Sequence, residues 1–436
     1  MVRKDFFMHD FSYVGKNFYC ENVDLEKIAK RFGTPTYVYS YKTITDHYLK
    51  LDSAFDYINH TICYSIKSNS NIAICKLLAD QGCGADVVSG GELYRAIKAG
   101  IKPDKIVYAG VGKTEDEIRF ALLSNILLFN SESQAELELI NKVAGELNKQ
   151  AKIGLRINPD VDAKTHAYIT TGKKENKFGI PLSEAFEIYK KAGRYKNLKF
   201  MGIHTHIGSQ ITSVQPYVAA IKKVVNFINK LKSNGIKIDY INIGGGLGII
   251  YDKESPAKAS EFADSLKPFL KVLNCSLILE PGRFITGNAG VLLTKVLFVK
   301  KSIKKKFIIV DAAMNDLARP SLYNAYHNIL PLAKTEKGRF LEIVDIVGPV
   351  CESGDFFAKD RRFPFVESNN ILAILSAGAY GFSMSSNYNS RPRAAEVLVK
   401  NDRCYLIRKR ETYQNLIRNE KIPAILAKSG RENGKK

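Results

Sequence analysis

The sequence predicts an α/β protein with a (β/α)8 TIM-type barrel followed by a β-rich domain of sandwich or barrel form. Two observations carry this prediction. Eight short apolar or β-branched runs alternate with helix-like stretches up to residue 282, and after residue 290 strand-like runs follow one another without long helices. Alternating strands and helices form parallel sheets with right-handed crossovers. Eight such repeats in about 230 residues favour a closed barrel over an open sheet.

The barrel strands are predicted from short runs rich in β-branched and apolar residues. The segments between these runs, such as SQAELELINKVAGEL, place apolar residues at helical spacing, and several of them end at glycine. We therefore expect the barrel to span 42–285. The eight runs are TICYSIK, CGADVVS, KIVYA, ILLFN, KIGLRIN, FMGIHTHI, DYINIGGG and SLILEPG, starting at positions 61, 83, 105, 126, 152, 200, 239 and 276.

A second, β-rich domain is predicted from 286–436. The strand-like TPTYVYS at 34–40 fits either domain, and we assign 1–41 to the β-rich one. No internal repeat or low-complexity segment is evident in the sequence. The strand-like runs of the second domain are VLLTKVLFVKK, KFIIVDA, RFLEIVDIVGP, NILAILSAGAYG and AAEVLVKNDRCYLIRK.

The chain is strongly basic, with 65 Lys and Arg against 44 Asp and Glu, a formal charge of +21. A nucleic-acid-binding protein concentrates such charge in a stripe or patch. Here the dense basic run is KKSIKKK at 300–306, and elsewhere lysines are spread at helical surface spacing among acidic residues. No recognition motif accompanies them. We therefore interpret the charge as surface composition and expect no nucleic-acid partner.

The composition also bears on location and metal content. The first residues, MVRKDFFMHDFSYV, lack the apolar stretch of a secretory signal, and no run of about 18 apolar residues that could span a membrane occurs. The seven cysteines are scattered and contain no C-x-x-C pair. This pattern disfavours disulfides and zinc sites. We expect a cytoplasmic protein with no membrane contact and no bound metal.

Chemistry-bearing residues fall at the ends of the predicted barrel strands, where barrel enzymes have their active sites. Lys67 ends the first run and His206 ends the sixth. Phosphate sites in such barrels often lie in the loops after strands 7 and 8, which here are the glycine-rich ones. A phosphate-binding loop, a lysine and a carboxylate at one barrel mouth fit pyridoxal phosphate. The loop residues concerned are Gly244, Gly245, Gly246, Glu280, Gly282 and Arg283.

Each of these features has an ordinary structural explanation when taken alone. Most lysines are solvated, a triple glycine is most often a turn, and a histidine on a strand is more often packed than catalytic. Of His204 and His206, we expect one in the barrel wall and the other at the lumen. Because all of these residues lie at the carboxyl ends of the predicted barrel strands, a functional site is favoured over these separate explanations.

Nine motifs, in order across nearly the whole chain, resemble the diaminopimelate decarboxylase family, whose fold is the alanine-racemase-like class of pyridoxal-phosphate enzymes. The resemblance implies decarboxylation of meso-2,6-diaminopimelate to L-lysine and carbon dioxide, the last step of lysine biosynthesis. It also implies a homodimer with shared active sites. The motifs are YSIKSN, VVSGGEL, GIHTHIGSQ, NIGGGLGI, EPGR, RPSLY, GPVCESGD, GAYG and YNSRPR.

The resemblance implies cofactor-binding residues. By position in the motifs, Lys67 binds the cofactor covalently, His206 stacks on its pyridine face and Glu280 pairs with the pyridine nitrogen. One departure is that Ser65 and Ser68 stand in the region where the family usually has alanine. The resemblance also implies that the following residues contact the cofactor, chiefly at its phosphate: Ser209, Gly244, Gly245, Gly246, Gly282, Arg283 and Tyr380.

Substrate-binding residues are implied in the same way. Arginine binds carboxylates through two parallel hydrogen bonds, and the motifs place Arg283, Arg319, Tyr323 and Tyr380 at the substrate. In the motif GPVCES, Cys351 corresponds to a thiol that protonates the carbanion, and Glu352 to the acceptor of the distal ammonium. The family contributes this motif from the partner subunit.

Three alternatives remain open. A decarboxylase acting on ornithine or arginine shares the fold, although those relatives carry Cys-Asp where this chain has Cys351 and Glu352. Alanine-racemase chemistry places an arginine, not a carboxylate, at the position of Glu280. A non-catalytic pyridoxal-phosphate-binding protein has the barrel alone. The sequence also does not decide whether Asp86 and Glu92 of VVSGGEL, or the segment 387–393, do more than support the fold.

Overall fold

A computed structural model describes residues 9–161, 177–334 and 340–427. The first elements that it describes are three strands, which form a small antiparallel sheet. Helix α1 (Leu25–Phe32) follows this sheet and is capped by Asp24, whose carboxylate accepts the N–H of Glu26. Next comes β4 (Thr36–Ser40), in which all five residues are buried. The small sheet contains β1 (Phe11–Val14), β2 (Asn17–Cys20) and β3 (Val23–Asp24).

Eight parallel strands form a closed ring after α2 (Tyr41–Ala54). Each ring strand pairs with the next along the chain, and the last pairs with the first, which closes the barrel. The predicted TIM-type barrel is confirmed, and each of the eight predicted runs overlaps one ring strand. The ring strands are β5 (His60–Ser65), β6 (Gly84–Val87), β7 (Ile106–Tyr108), β8 (Leu128–Ser131), β9 (Ala151–Asn158), then, after the short β10 (Ile180–Pro181) that pairs only with β9, β11 (Leu198–His204), β12 (Tyr240–Asn242) and β13 (Ser276–Leu279).

Helices connect the ring strands and cover the barrel. The helices α3 to α6 each begin at an Asn, Ser or Thr whose side chain accepts a backbone N–H of the first turn. At α5, for example, Thr114 and Glu117 form a reciprocal capping box. The connecting helices are α3 (Ile72–Asp80), α4 (Gly90–Lys98), α5 (Glu115–Leu123), α6 (Gln134–Glu146), α7 (Leu182–Lys190), α8 (Gln215–Lys232) and α9 (Ala259–Leu270), and the single-turn α10 (Arg283–Thr286) follows β13.

A second, mixed sheet of nine strands follows the barrel, which confirms the predicted β-rich region. The N-terminal β4 lies inside this sheet, antiparallel to the first of the later strands and parallel to another. The later elements are β14 (Gly290–Lys301), β15 (Lys306–Val310), α11 (Arg319–Tyr323), β16 (Ile329–Pro331), β17 (Leu341–Val347), β18 (Phe356–Pro364), β19 (Ile371–Ile374), β20 (Ala395–Lys400), β21 (Arg403–Arg408), α12 (Tyr413–Ile417) and α13 (Ala424–Ala427).

The strand order explains which segments meet at the barrel mouth. The long β14 lies between β15 and β4 and also pairs with β19, so the sheet is built around it. The turn after β19 carries Tyr380, whose backbone N–H donates to the carbonyl of Ser68 next to the end of β5. The second sheet therefore delivers side chains to the carboxyl ends of the barrel strands. Within the described ranges, no helix has the length and apolarity needed to cross a membrane.

Candidate active site

A cavity of about 350 Å3 opens where the barrel meets the second sheet. This volume lies in the range of small-molecule sites. The cavity brings together side chains from four barrel strand ends and from two segments of the β-rich region. The predicted site residues that line it are Lys67, His206, Ser209, Gly246, Glu280, Gly282, Arg283, Arg319, Tyr323 and Tyr380.

Lys67 lies in a single 3-10 turn directly after β5, and its side chain is 38% exposed, toward the cavity. Its Nζ is 2.5 Å from Oδ2 of Asp86, a fully buried carboxylate on the neighbouring strand β6. Burial lowers the pKa of Lys67, but the charge of Asp86 and other nearby groups outweighs it and leaves the pKa raised. Asp86 thus holds a cationic amine at the cavity wall.

Glu280 follows β13 immediately and is buried at the same mouth. Its Oε1 accepts hydrogen bonds from Asn242 at 2.6 Å and from Asn130 at 3.3 Å, and both asparagines lie on barrel strands. Oε2 lies 3.2 Å from Nε2 of His204. Burial alone raises the pKa of Glu280, but its contact with His204 and the charge of Lys67 lower it overall. The carboxylate is therefore ionised at neutral pH.

The two histidines of the sixth predicted run lie at different depths. His204 is the last residue of β11 and is buried against Glu280, whereas His206 lies two residues beyond the strand and lines the cavity. The N–H of Gly245 points at Nδ1 of His206 from 3.2 Å, so this nitrogen accepts. Burial, with the charges of Arg156 and Lys67, lowers the pKa of His206 to about 3. His206 is neutral and carries its proton on Nε2.

The three glycines after β12 pack tightly against neighbouring backbone. A Cβ on Gly245 would lie 2.0 Å from the carbonyl oxygen of Glu280, and one on Gly246 would lie 2.3 Å from the carbonyl oxygen of Gly208. The N–H groups of Gly244 and Gly245 donate within the chain, to Asn242 and His206. Of the three glycines, Gly246 lines the cavity.

Two buried arginines line the cavity, and both contact Tyr251. Arg283 donates to the hydroxyl of Tyr251 at 2.6 Å and to that of Ser209 at 3.0 Å. The guanidinium of Arg319 lies 4.5 Å from the centre of the Tyr251 ring. Within the described ranges, neither arginine forms an ion pair with a carboxylate. Two buried cations with no acidic partner favour an anionic ligand between them.

Tyr380 reaches the cavity from the β-rich region in a backbone conformation that few residues adopt. Its φ is +56°, and its ring lies 4.8 Å from the guanidinium carbon of Arg283. Such left-handed conformations in non-glycine residues cost energy and occur at functional sites. The turn therefore aims this side chain at the mouth of the barrel.

Comparison with known proteins places these residues in a family. Residues 41–287 match the family "Pyridoxal-dependent decarboxylase, pyridoxal binding domain". Diaminopimelate decarboxylase of Aquifex aeolicus is 52% identical over 400 residues, 92% of this chain and 94% of the relative. That of Haemophilus influenzae is 48% identical, over 94% of this chain and 98% of the relative. The chain belongs to the diaminopimelate decarboxylases.

A solved structure of the family has the same fold. Diaminopimelate decarboxylase of Helicobacter pylori, crystallised with L-lysine, superimposes with a TM-score of 0.87 at 44% identity, covering 91% of this chain and 98% of the other. Members of this family use pyridoxal phosphate, and the side chains at the barrel mouth fit that group. Lys67 offers an amine, Glu280 an ionised carboxylate and His206 a neutral ring. Among the described residues, Oδ1 of Asp86 and Nε of Arg283 are buried there without hydrogen-bond partners.

Besides Gly244 and Gly245, two further predicted residues do not line the cavity. Cys351 and Glu352 are exposed in the loop between β17 and β18 and are not among the residues that line the cavity. The loop itself is well ordered by hydrogen bonds. The carboxylate of Asp355 accepts N–H groups from Met314 and Val350, both at 2.7 Å. The loop thus holds two exposed functional groups that the chain's own cavity does not use.

Several residues of the site were not predicted from the sequence. Tyr251 contacts both arginines, and Asn130 and Asn242 hold Glu280. Asp86, whose role the sequence does not decide, contacts Lys67, whereas Glu92 lies in the first turn of α4 and accepts the N–H of Val88 at 2.9 Å. The remaining unpredicted residues that line the cavity are Ser65, Gln210, Glu254, Ala325, Tyr326 and Met384.

Proposed function

We propose that this chain decarboxylates meso-2,6-diaminopimelate at one of its two amino-acid centres and releases L-lysine and carbon dioxide. The observation that carries this proposal is the pair of buried guanidiniums, Arg283 and Arg319, which face the cavity of Lys67 without an acidic partner among the described residues. A substrate with two carboxylates matches this excess of positive charge. Ornithine and arginine carry a single carboxylate and match it less well.

The residues at the barrel mouth divide the work of binding and holding the cofactor. Lys67 would bind it through Nζ, Glu280 would pair with the ring nitrogen and His206 would support the ring face. Gly246, Gly282, Ser209 and Tyr380 would surround the phosphate, while Gly244 and Gly245 shape the loop. Pyridoxal phosphate, when bound, supplies the electron sink for the pair left by the departing carboxylate.

The ionisation of these residues suits that chemistry. Glu280 is kept ionised by its asparagine donors and by His204, so it can hold a proton on the nitrogen that it faces. Neutral His206 adds no positive charge that would compete with that proton. Asp86 accepts a hydrogen bond from the amine of Lys67. It can keep that amine protonated when the substrate amine replaces Lys67 at the cofactor. The three groups therefore keep separate protonation states within one small site.

The remaining functional groups would come from a second copy of the chain. Cys351 is expected to protonate the substrate carbon and Glu352 to accept the distal ammonium, yet both lie exposed outside the chain's own cavity. In a homodimer with shared sites, the loop of one subunit would complete the cavity of the other. A free thiol that must act as an acid also suits the reducing cytoplasm, where we place the enzyme.

The proposed function is tested by incubating the purified holoenzyme with carboxyl-labelled meso-diaminopimelate. We expect labelled carbon dioxide and L-lysine in equal amounts. Lys67→Ala should form neither and should lose the absorbance of the lysine-bound cofactor. Bound-cofactor absorbance that survives in Lys67→Ala, or the appearance of lysine without carbon dioxide, would overturn the proposal.

A further inference from the structure

His327 lies behind the cavity and contacts one of its arginines. Its side chain is fully buried, and its Nε2 is 2.9 Å from Nη1 of Arg319. His327 does not itself line the cavity, whereas Arg319 does. No motif in the sequence singles out this histidine.

The hydrogen bonds of His327 determine which of its nitrogens carries the proton. Nδ1 lies 2.7 Å from the carbonyl oxygen of Leu375, which can only accept, so Nδ1 is the donor. Arg319 can only donate, so Nε2 must be the unprotonated acceptor. Burial, with the charge of Arg319, lowers the pKa of His327 to about 3, which agrees with a neutral ring.

The histidine is anchored to the second sheet by hydrogen bonds. Leu375 directly follows β19, and its N–H donates to the carbonyl of Asn328. Arg361 of β18 donates to the backbone carbonyl of His327 at 3.0 Å and stacks on Tyr326 at 4.1 Å. His327 is thus fixed from two strands, and its one remaining acceptor points at Arg319.

This arrangement constrains the guanidinium in the cavity. One Nη1 hydrogen is taken by His327, and the ring of Tyr251 covers the guanidinium at 4.5 Å. The other N–H groups of Arg319 form no hydrogen bond within the described ranges, so they are available to a ligand. A planar guanidinium held at one corner presents a defined edge to a carboxylate.

We propose that His327 is a positioning residue that fixes the guanidinium of Arg319 for binding a substrate carboxylate. This inference rests on the proposed function, because it requires Arg319 to bind the substrate. It predicts that the acceptor at the Nε2 position, rather than the bulk of the ring, matters for the substrate.

Two amide substitutions distinguish a role of the Nε2 acceptor from a role of the ring's bulk. In His327→Gln the terminal amide lies near the Nε2 position and can still accept from Arg319. In His327→Asn the amide lies near the Nδ1 position, where it can donate to Leu375 but cannot reach Arg319. Both variants lose the ring, so a purely structural role predicts similar effects from both.

We expect His327→Asn to raise KM for meso-diaminopimelate by about tenfold, the weight of a hydrogen bond to a charged group. His327→Gln should stay within about twofold of the wild type. Absorbance of the bound cofactor should be unchanged in both, which shows that the barrel mouth is intact. Equal increases in KM for Asn and Gln, or an unchanged KM in the Asn variant, would overturn the inference.

The variant Arg319→Ala serves as the background for a double-mutant test of His327. If His327 acts through Arg319, adding His327→Asn to Arg319→Ala should raise KM no further, and a further rise of about tenfold would overturn the inference. If Arg319→Ala alone leaves KM unchanged, the proposed function fails at this residue. Should His327→Asn not fold, His327→Gln decides by itself, because a KM raised about tenfold with the cofactor bound would contradict the inference.

Discussion

The Nζ of Lys67 lies 2.5 Å from Oδ2 of Asp86, a buried carboxylate on the adjacent barrel strand. Ser65 Oγ lies 2.7 Å from the same carboxylate oxygen, so the aspartate is fixed on one side and faces the lysine on the other. This contact sets the protonation state of the amine that would bind the cofactor.

Asp86→Asn should shift the pH dependence of cofactor incorporation to lower pH. Addition to an aldehyde requires the neutral amine, and Asp86 raises the pKa of Lys67 against the effect of burial. Without the negative charge, burial lowers the pKa, and the neutral amine becomes available at lower pH. Stopped-flow absorbance of the apoenzyme mixed with pyridoxal phosphate measures the profile. Asp80→Asn, an exposed carboxylate, is the control, and superimposable profiles for Asp86→Asn and the wild type would refute the prediction.

Gly245→Ala should destabilise the glycine loop after β12. The added Cβ would lie 2.0 Å from the Glu280 carbonyl oxygen, so the backbone must move. We expect a loss of about 1–3 kcal/mol in the free energy of unfolding, together with weaker cofactor binding. Urea unfolding followed by fluorescence, and titration with the cofactor, measure both.

Gly193→Ala is the matched control for that substitution, because an added Cβ there would have nothing within 4 Å and the φ of Gly193 is not left-handed. Its free energy of unfolding should change by less than about 0.5 kcal/mol. Equal stability of the two alanine variants would show that the close approach at Gly245 carries no energetic weight.

His206→Ala should weaken cofactor binding by about tenfold, and His206→Phe by less, because a flat ring is retained. The low pKa of His206, about 3, means that its charge does not change between pH 5 and pH 9. The ratio of the alanine and wild-type dissociation constants should therefore be flat across that range. A ratio that varies with a midpoint near pH 6.5, the ordinary value for histidine, would contradict the neutral assignment.

Mixing two inactive variants tests the shared site. Lys67→Ala and Cys351→Ala homodimers should each be inactive, but a mixed dimer would contain one site with both native residues. After subunit exchange, activity should return to about one quarter of the wild type, since half of the dimers are mixed and half of their sites are intact. Light scattering and a tagged subunit verify that subunits have exchanged. If activity does not recover although exchange has occurred, a site shared in this way is excluded.

Much of the barrel was predictable from the sequence because each strand is a compact apolar run flanked by a helical pattern. In the second sheet the nine-residue β18 was missed. Its sequence, FFAKDRRFP, places four charged residues in succession, which hides the alternation typical of a strand. β18 lies at the edge of the sheet, and edge strands tolerate and use such charges.

The site was predictable where a residue stands in a motif at a strand end, as Lys67, His206 and Glu280 do. Tyr251 and His327 carry no such signal. Tyr251 reaches the arginines through a loop, and His327 becomes significant only because the chain brings Leu375 and Arg319 to its two nitrogens. Contacts between residues far apart in sequence, formed by tertiary packing, leave no local pattern.

Comparison of substrates tests most directly whether this enzyme acts on meso-diaminopimelate. Carbon dioxide release by the holoenzyme should be measured with meso-diaminopimelate, ornithine, arginine and lysine, and the ratios of kcat/KM compared. The paired arginines at the cavity predict that meso-diaminopimelate is preferred over each monocarboxylate by at least about a hundredfold. Release from ornithine or arginine at an equal or higher kcat/KM would contradict the assignment of meso-diaminopimelate as the substrate.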